Sequence, residues 1–397
     1  MHPSHTAKTV SMALTCLLAA NALATESSGS RPRANTDDNP FSYRSSDGNS
    51  KAELNGRLHV DTAQFNDDIT PEPNDTDIRR LRIGVSGEIE KAIRFNVEGD
   101  VAGTSTGWKN VWLSYTGIDG LEIRGGSFTA PFSLEDLRSS NGTELMERSL
   151  AQSFAPGFLV GGMVKIDRRH WTVSAGYFGD PLSADSTFNN DAGRSFVARV
   201  TLAPIAERNR VLHFGAAIEK RTLDNGVSSR IRVLPESALA ANALVTTRAM
   251  DGIDSYTNLG LEAGFLAGPF SMLGQYVRRT HDAPALRDPT FTGGYVQAAW
   301  VVTGESRGYT RSTGVFGTLR PIGDWGAVEL AARYSQIDLT SGTITGGKEN
   351  NVSFGVNWYI GRYVRLMANY VKANAEPNRN RVNETLDIIE ARAQVAF

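Results

Sequence analysis

From Glu53 to Phe397, apolar and polar residues alternate with a period of two in one segment after another, and no segment of comparable length carries a helical period. That texture restricts the chain to an all-β fold. The last segment shows it plainly, with Ile389, Ala391, Ala393, Val395 and Phe397 on one face and Glu390, Arg392, Gln394 and Ala396 on the other. Val352, Phe354, Val356, Trp358 and Ile360 repeat it against Ser353, Gly355, Asn357 and Tyr359. A soluble sandwich alternates in the same way. Three further features favour a transmembrane antiparallel β-barrel: long polar loops alternate with tight turns, aromatics gather near strand ends, and the chain stops on a strand with a terminal aromatic. Trp108, Trp171, Trp325, Trp358, Tyr359 and Tyr363 are expected in the two aromatic girdles.

Strands are predicted over 53–66, 78–90, 92–102, 108–116, 120–128, 159–167, 169–179, 193–203, 210–221, 254–265, 269–280, 293–303, 325–338, 350–360, 363–374 and 385–397. That makes 16 strands, an even number as closure with both ends in the periplasm demands. The outer connections are then the long ones, 129–158 and 222–253 above all, and the inner turns are short. The exception is the inner connection 304–324. Its strand-like piece Gly314–Leu319, together with Val227–Leu234 in 222–253, leaves 18 strands as the alternative.

Ahead of the barrel, Lys8, the apolar run Val10–Ala20 and Ala22-Leu23-Ala24 read as a secretory signal peptide over 1–24. The run is too short for the roughly 20 residues of a membrane-spanning helix. Residues 25–52 are polar and read as a flexible lead. The sole cysteine, Cys16, lies in the signal, so the exported chain forms no internal disulfide. Lys and Arg (41) nearly balance Asp and Glu (43), which argues against nucleic acid as a partner and leaves charge selectivity to placement.

A charged side chain turned to lipid at mid-membrane costs roughly 2–4 kcal/mol, so strand charges are expected to face the lumen. Leu58 and Val60 facing outward send Arg57 and His59 inward. Leu81, Ile83 and Val85 facing outward send Arg80 and Arg82 inward. Loop 129–158 holds Phe132, Leu134, Leu137, Leu145, Met146 and Phe154, too apolar for free solvation, and is expected to fold against another part of the chain, either as a packed external lid or, as in sixteen-strand barrels of the channel type, inward as a constriction carrying Arg138, Ser139, Ser140 and Arg148.

The segments PFSLEDLRSS (131–140), MERSLAQSFAPG (146–157), IRRLRIGVSG (78–87) and TGESRGY (303–309) resemble those of the phosphate-selective porins, in the same order and spacing from Glu53 to Phe397. The resemblance implies a trimeric outer-membrane channel of a Gram-negative bacterium that passes small anions, phosphate or polyphosphate-like, by passive diffusion. It puts Arg57, Arg79, Arg80 and Arg148 at the constriction with Ser139 and Ser140, and Arg230 and Arg232 in an arginine ladder. It also implies insertion by the barrel-assembly machinery through Phe397. Guanidinium suits this work, being permanently charged, forked toward phosphate oxygens and weakly hydrated. Leu234 stands where a longer ladder would carry arginine, Asn141 where phosphate-selective members carry lysine, and Lys109 where an acidic residue is usual.

Rival readings find little in the residues. An outer-membrane enzyme would need a spacing such as G-x-S-x-G or H-E-x-x-H, and none of the histidines has either around it. The acidic pairs Asp37-Asp38 and Asp67-Asp68 lack calcium-loop spacing, and no motif requires a cofactor or a metal. A porin for another solute and a non-conducting adhesive barrel remain as alternatives.

Overall fold

The computed structural model describes residues 41–102, 106–182 and 192–397; the expected signal segment 1–24 and most of the expected lead 25–52 lie outside them. The wall consists of β1 (Lys51–Asp67), β2 (Asp75–Ile89), β3 (Ile93–Asp100), β4 (Gly107–Ile118), β5 (Leu121–Thr129), β6 (Phe158–Asp167), β7 (Trp171–Phe178) and β8 (Gly193–Ala206). It continues through β9 (Arg210–Leu223), β10 (Ser255–Ala267), β11 (Phe270–Asp282), β12 (Thr290–Val301), β13 (Ala327–Ser341), β14 (Ile344–Ile360), β15 (Val364–Ala375) and β16 (Glu384–Ala396). Each strand runs antiparallel to the next, and β16 returns to β1, where Ala396 pairs with Arg57 and Leu386 with Asp67. All 16 expected strands are present in a closed barrel.

The two candidate extra strands do not join the wall. Arg232–Val233 pairs with Val245–Thr246, and Val315–Phe316 with Tyr309–Thr310, so each finds its partner inside its own connection. The 18-strand alternative falls for that reason.

Alternation assigns the two faces. In β10, Leu259, Leu261 and Phe265 are exposed on the outside while Asn258, Gly260, Glu262 and Gly264 are buried inside. The exposed apolar band is the surface that lipid covers in such barrels. Trp171, Trp325 and Trp358 are exposed on it, and the Trp358 indole N–H donates to the Trp325 carbonyl at 2.9 Å. Tyr359 corrects the girdle expectation: it points inward, buried, with its hydroxyl 2.9 Å from Glu329, as the alternation with Trp358 dictates.

Residues 41–52 also depart from expectation. Ser42–Arg44 forms a short strand along β1, pairing Ser42 with Glu53 and Arg44 with Lys51, and β1 itself starts at Lys51. This segment continues the line of β16 along one edge: Phe397 exchanges backbone hydrogen bonds with Gly56 at 3.0 Å, and Leu54 N–H donates to the Phe41 carbonyl at 3.0 Å. The Phe41 and Phe397 rings meet edge-on, with centroids 5.2 Å apart.

The apolar core lies in the lumen. Loop 130–157 turns inward and buries Phe132, Leu134, Leu145, Met146, Leu150 and Phe154. Ser133 caps its short helix Leu134–Leu137 by accepting from Asp136 N–H. Small wall residues make room for it. A β-carbon on Gly355 would stand 2.7 Å from Leu145, and one on Gly264 would stand 2.4 Å from Phe316 of connection 302–326. That connection therefore enters the lumen from the other end and meets the loop, which explains its unusual length for an inner turn.

Candidate functional site: a cation-lined constriction

Strand register decides which arginines reach the lumen. Opposite β1, His59 pairs with Arg80 but Val60 pairs with Ile78, so β2 carries one extra residue at Arg79. This bulge breaks the period of two and turns Arg79 and Arg80 to the same side. Arg79 grips Glu147 of the inward loop with two hydrogen bonds, at 2.9 and 3.0 Å. Arg80 lies beside it, 5% exposed, 3.7 Å from the same carboxylate and with Nη1 lacking a hydrogen-bond partner.

Arg80 opens onto a cavity of 440 Å³ between the loop and the walls of β1 to β8. Its lining includes eight cationic side chains (Arg57, Arg80, Arg82, Arg124, Arg138, Arg148, Lys165 and Arg199) and two carboxylates, Glu98 and Asp136. Ser139 and Ser140 line it as well. Arg57 donates to Glu98 at 2.9 Å and to the Ser140 hydroxyl at 3.0 Å, while Arg82 donates to Asp100 at 2.7 Å. The cavity surface is thus cationic, and several balancing carboxylates stand behind it.

The other expected site residues take different places. Arg148 donates to the carbonyls of Glu135, Asp136 and Arg138 at 3.0–3.2 Å, so it folds the loop while also bordering the cavity. Its neighbour Glu147 serves Arg79 and Arg392 instead. Arg138, expected at the constriction, does border the cavity but is buried and bound to Glu144 at 2.6 and 2.7 Å. Arg230 and Arg232 sit apart from the cavity, on the small hairpin of loop 224–254. There they donate to the Thr246 hydroxyl and the Ala241 carbonyl.

Ion networks fasten the inserted segments to the far wall. Arg333 of β13 binds Glu135 at 3.3 Å and Glu236 of loop 224–254 at 2.6 Å; Arg392 of β16 binds Asp61 and Glu147 at 2.6 and 2.9 Å. Arg307 of connection 302–326 binds Glu329 at 2.5 Å, Glu144 at 3.1 Å and the Gly142 carbonyl at 2.8 Å. Arg138 closes the circuit through the Phe316 carbonyl at 3.1 Å. Burial pushes the Glu144 carboxyl up, but Arg138 and Arg307 outweigh it and hold the group ionised, below its ordinary range.

Sequence reasoning missed Arg124 and Lys165, although the exposed Ile123 and Val164 beside them give their inward direction by alternation. It also missed Arg307, Arg333 and Arg392 as loop anchors. Only the loop, once folded, brings their carboxylates within reach.

A closed barrel of sixteen strands, outwardly apolar and narrowed within by a charged loop, defines an outer-membrane diffusion channel, a porin. The chain belongs to the family of phosphate-selective porin O and P, whose pattern it matches over residues 52–397. It is similar to Porin O of Pseudomonas aeruginosa, at 28% identity, over 87% of this chain and 86% of that one. In fold it resembles the anion-selective porin from Comamonas acidovorans (TM-score 0.58, 14% identity, 88% of this chain and 100% of that one). It likewise resembles the trimer form of OmpT from Vibrio cholerae (TM-score 0.55, 11% identity, 88% and 99% covered).

Proposed function

We propose that this porin is a passive, anion-selective channel for small solutes, with phosphate or a related anion as its cargo. The carrying observation is the lining of the constriction, in which eight cations, Arg80 among them, stand against two carboxylates. An anion arriving there meets forked donors already held in place, whereas a cation meets a surplus of like charge. Arg57, Ser139 and Ser140 complete this subsite, Arg79 sets its shape by fixing Glu147, and Arg148 supports it through the loop. Arg230 and Arg232, two residues apart in loop 224–254, form an outer collecting step. Several moderate sites suit conduction better than one tight one.

The family description and the name of the Pseudomonas relative support the phosphate assignment, and the Comamonas porin's title supports anion selectivity. The same family and fold favour a channel over an enzyme. Export through a cleaved signal over 1–24, insertion through Phe397 and a homotrimer complete the proposal. For the trimer, Ala368 and Ala391 pair on the outer face, where Ala393 adds a third small side chain that lets a neighbour approach.

Single-channel currents in planar bilayers test this reading, with phosphate titrated into chloride. Saturable block that weakens in Arg80→Ala and in Arg230→Ala is the expected result. Anion current without block would leave a porin for another solute, and absence of current would overturn the channel reading.

A further inference from the structure

The side of the constriction away from Arg80 has a different chemistry. Arg124 of β5 lies with its guanidinium carbon 4.1 Å from the centroid of the Trp112 ring and 5.3 Å from that of Phe128. Phe158 and Met163 extend this apolar wall along the same cavity. Gly126, at φ +127°, allows the close approach: a β-carbon there would stand 2.7 Å from the Trp112 Cα.

The charge on this wall is also uneven. Arg124 donates twice to one oxygen of Glu122, at 2.8 and 2.5 Å, and Lys165 binds the other oxygen at 2.6 Å. One carboxylate thus serves two cations, and one positive charge is left over beside exposed ring surface. The Arg124 side chain keeps 23% of its surface open to the cavity.

A bare, strongly hydrated anion gains little from this arrangement, because aromatic faces carry negative charge density and repel it. A carboxylate with a flat apolar body fits better: its charge meets Arg124 and Lys165 while its ring lies against Trp112 and Phe158, with the buried Phe128 behind them. The cavity volume of 440 Å³ falls within the range that receives small organic ligands, about 300–1,000 Å³.

We infer that the constriction contains a second subsite, built on Trp112 and Arg124, that binds aromatic carboxylates in preference to aliphatic ones of equal charge. This rests on the anion-pore reading above and extends it to a further class of cargo.

The test compares benzoate with acetate as blockers of chloride current through the full-length channel in planar bilayers. Benzoate is expected to reach half-block at a concentration about fivefold to tenfold lower than acetate, as ring stacking and cation–π contact at a partly exposed site imply. In Trp112→Leu the ratio is expected to fall to about one, and in Trp112→Phe to persist in part. Equal block by the two anions in the wild type, where no substitution complicates folding, overturns the subsite and leaves the anion pore standing. A benzoate preference that survives Trp112→Leu unchanged overturns its assignment to this wall. Absence of chloride current sinks the subsite together with the channel reading.

Discussion

The ring of Phe154 stands 2.9 Å from the point where a β-carbon on Gly293 would lie, so the inward loop is seated on β12 through the absence of a side chain. Phe132 over Gly260 repeats the relationship at 3.3 Å on β10. These contacts fix the depth to which the loop settles.

Gly293→Leu is therefore expected to destabilise the barrel by about 1–3 kcal/mol through overpacking. A lower midpoint of heat-induced unfolding, followed by mobility of unboiled protein on a gel, is the measurement. Gly125→Ala is the control, because a β-carbon there meets nothing within 4 Å. An unshifted midpoint in Gly293→Leu would show that the loop does not depend on this seat.

Arg307→Met removes a buried cation from Glu329 and Glu144 together. Breaking a buried pair from one side costs about 3–5 kcal/mol, since the carboxylates stay behind in a poorly solvated place. Arg307→Met combined with Glu329→Gln is expected to be less destabilised than the single variant. Additive losses in thermal unfolding would show that the two residues act independently.

Glu147 is held by Arg79, Arg80 and Arg392, and since Arg392 keeps Asp61, Glu147→Gln leaves the charges of Arg79 and Arg80 unbalanced beside the pore. The expected outcome is a reversal potential in a salt gradient that moves toward stronger anion preference. Burial pushes the Glu147 carboxyl up, but the three arginines outweigh it and hold it well below 4.5. A depressed value means that its stabilisation is complete above the unfolded-state value and is lost only as pH falls through the native one. Wild-type selectivity is accordingly expected to stay constant from pH 7 to about pH 5. A drift toward anions within that interval would mean that Glu147 protonates there.

Arg148→Lys retains the charge at the cavity but loses the planar fork that serves three carbonyls. Phosphate block is expected to persist while the spread of single-channel conductances widens. Loss of block with unchanged conductance would instead make Arg148 a direct anion ligand.

The wall was legible in the sequence because lipid outside and water inside enforce a strict period of two, as in Leu58–Asp61. Where the register breaks, that reading runs out. Alternation alone sends Arg79 to lipid, and only the bulge against His59 and Val60 returns it to the lumen. Loop 130–157 betrayed itself through buried apolar residues such as Phe132 and Phe154. Its fastenings did not, since Glu135 and Arg333 lie 198 residues apart and share no local pattern. Connection 302–326 stood out by its length and its strand-like piece, and the ties of Arg307 explain that length.

The loop from one mouth and the connection from the other are joined at midstream, by Arg138 to the Phe316 carbonyl and by Arg307 to the Gly142 carbonyl. Such a span behaves as an arch pinned at both abutments rather than as a swinging flap. Its aperture is set by the stiff wall, so thermal wandering adds little noise to the open-state current. Residues along its inner edge can then be exchanged for new cargoes without rebuilding the masonry.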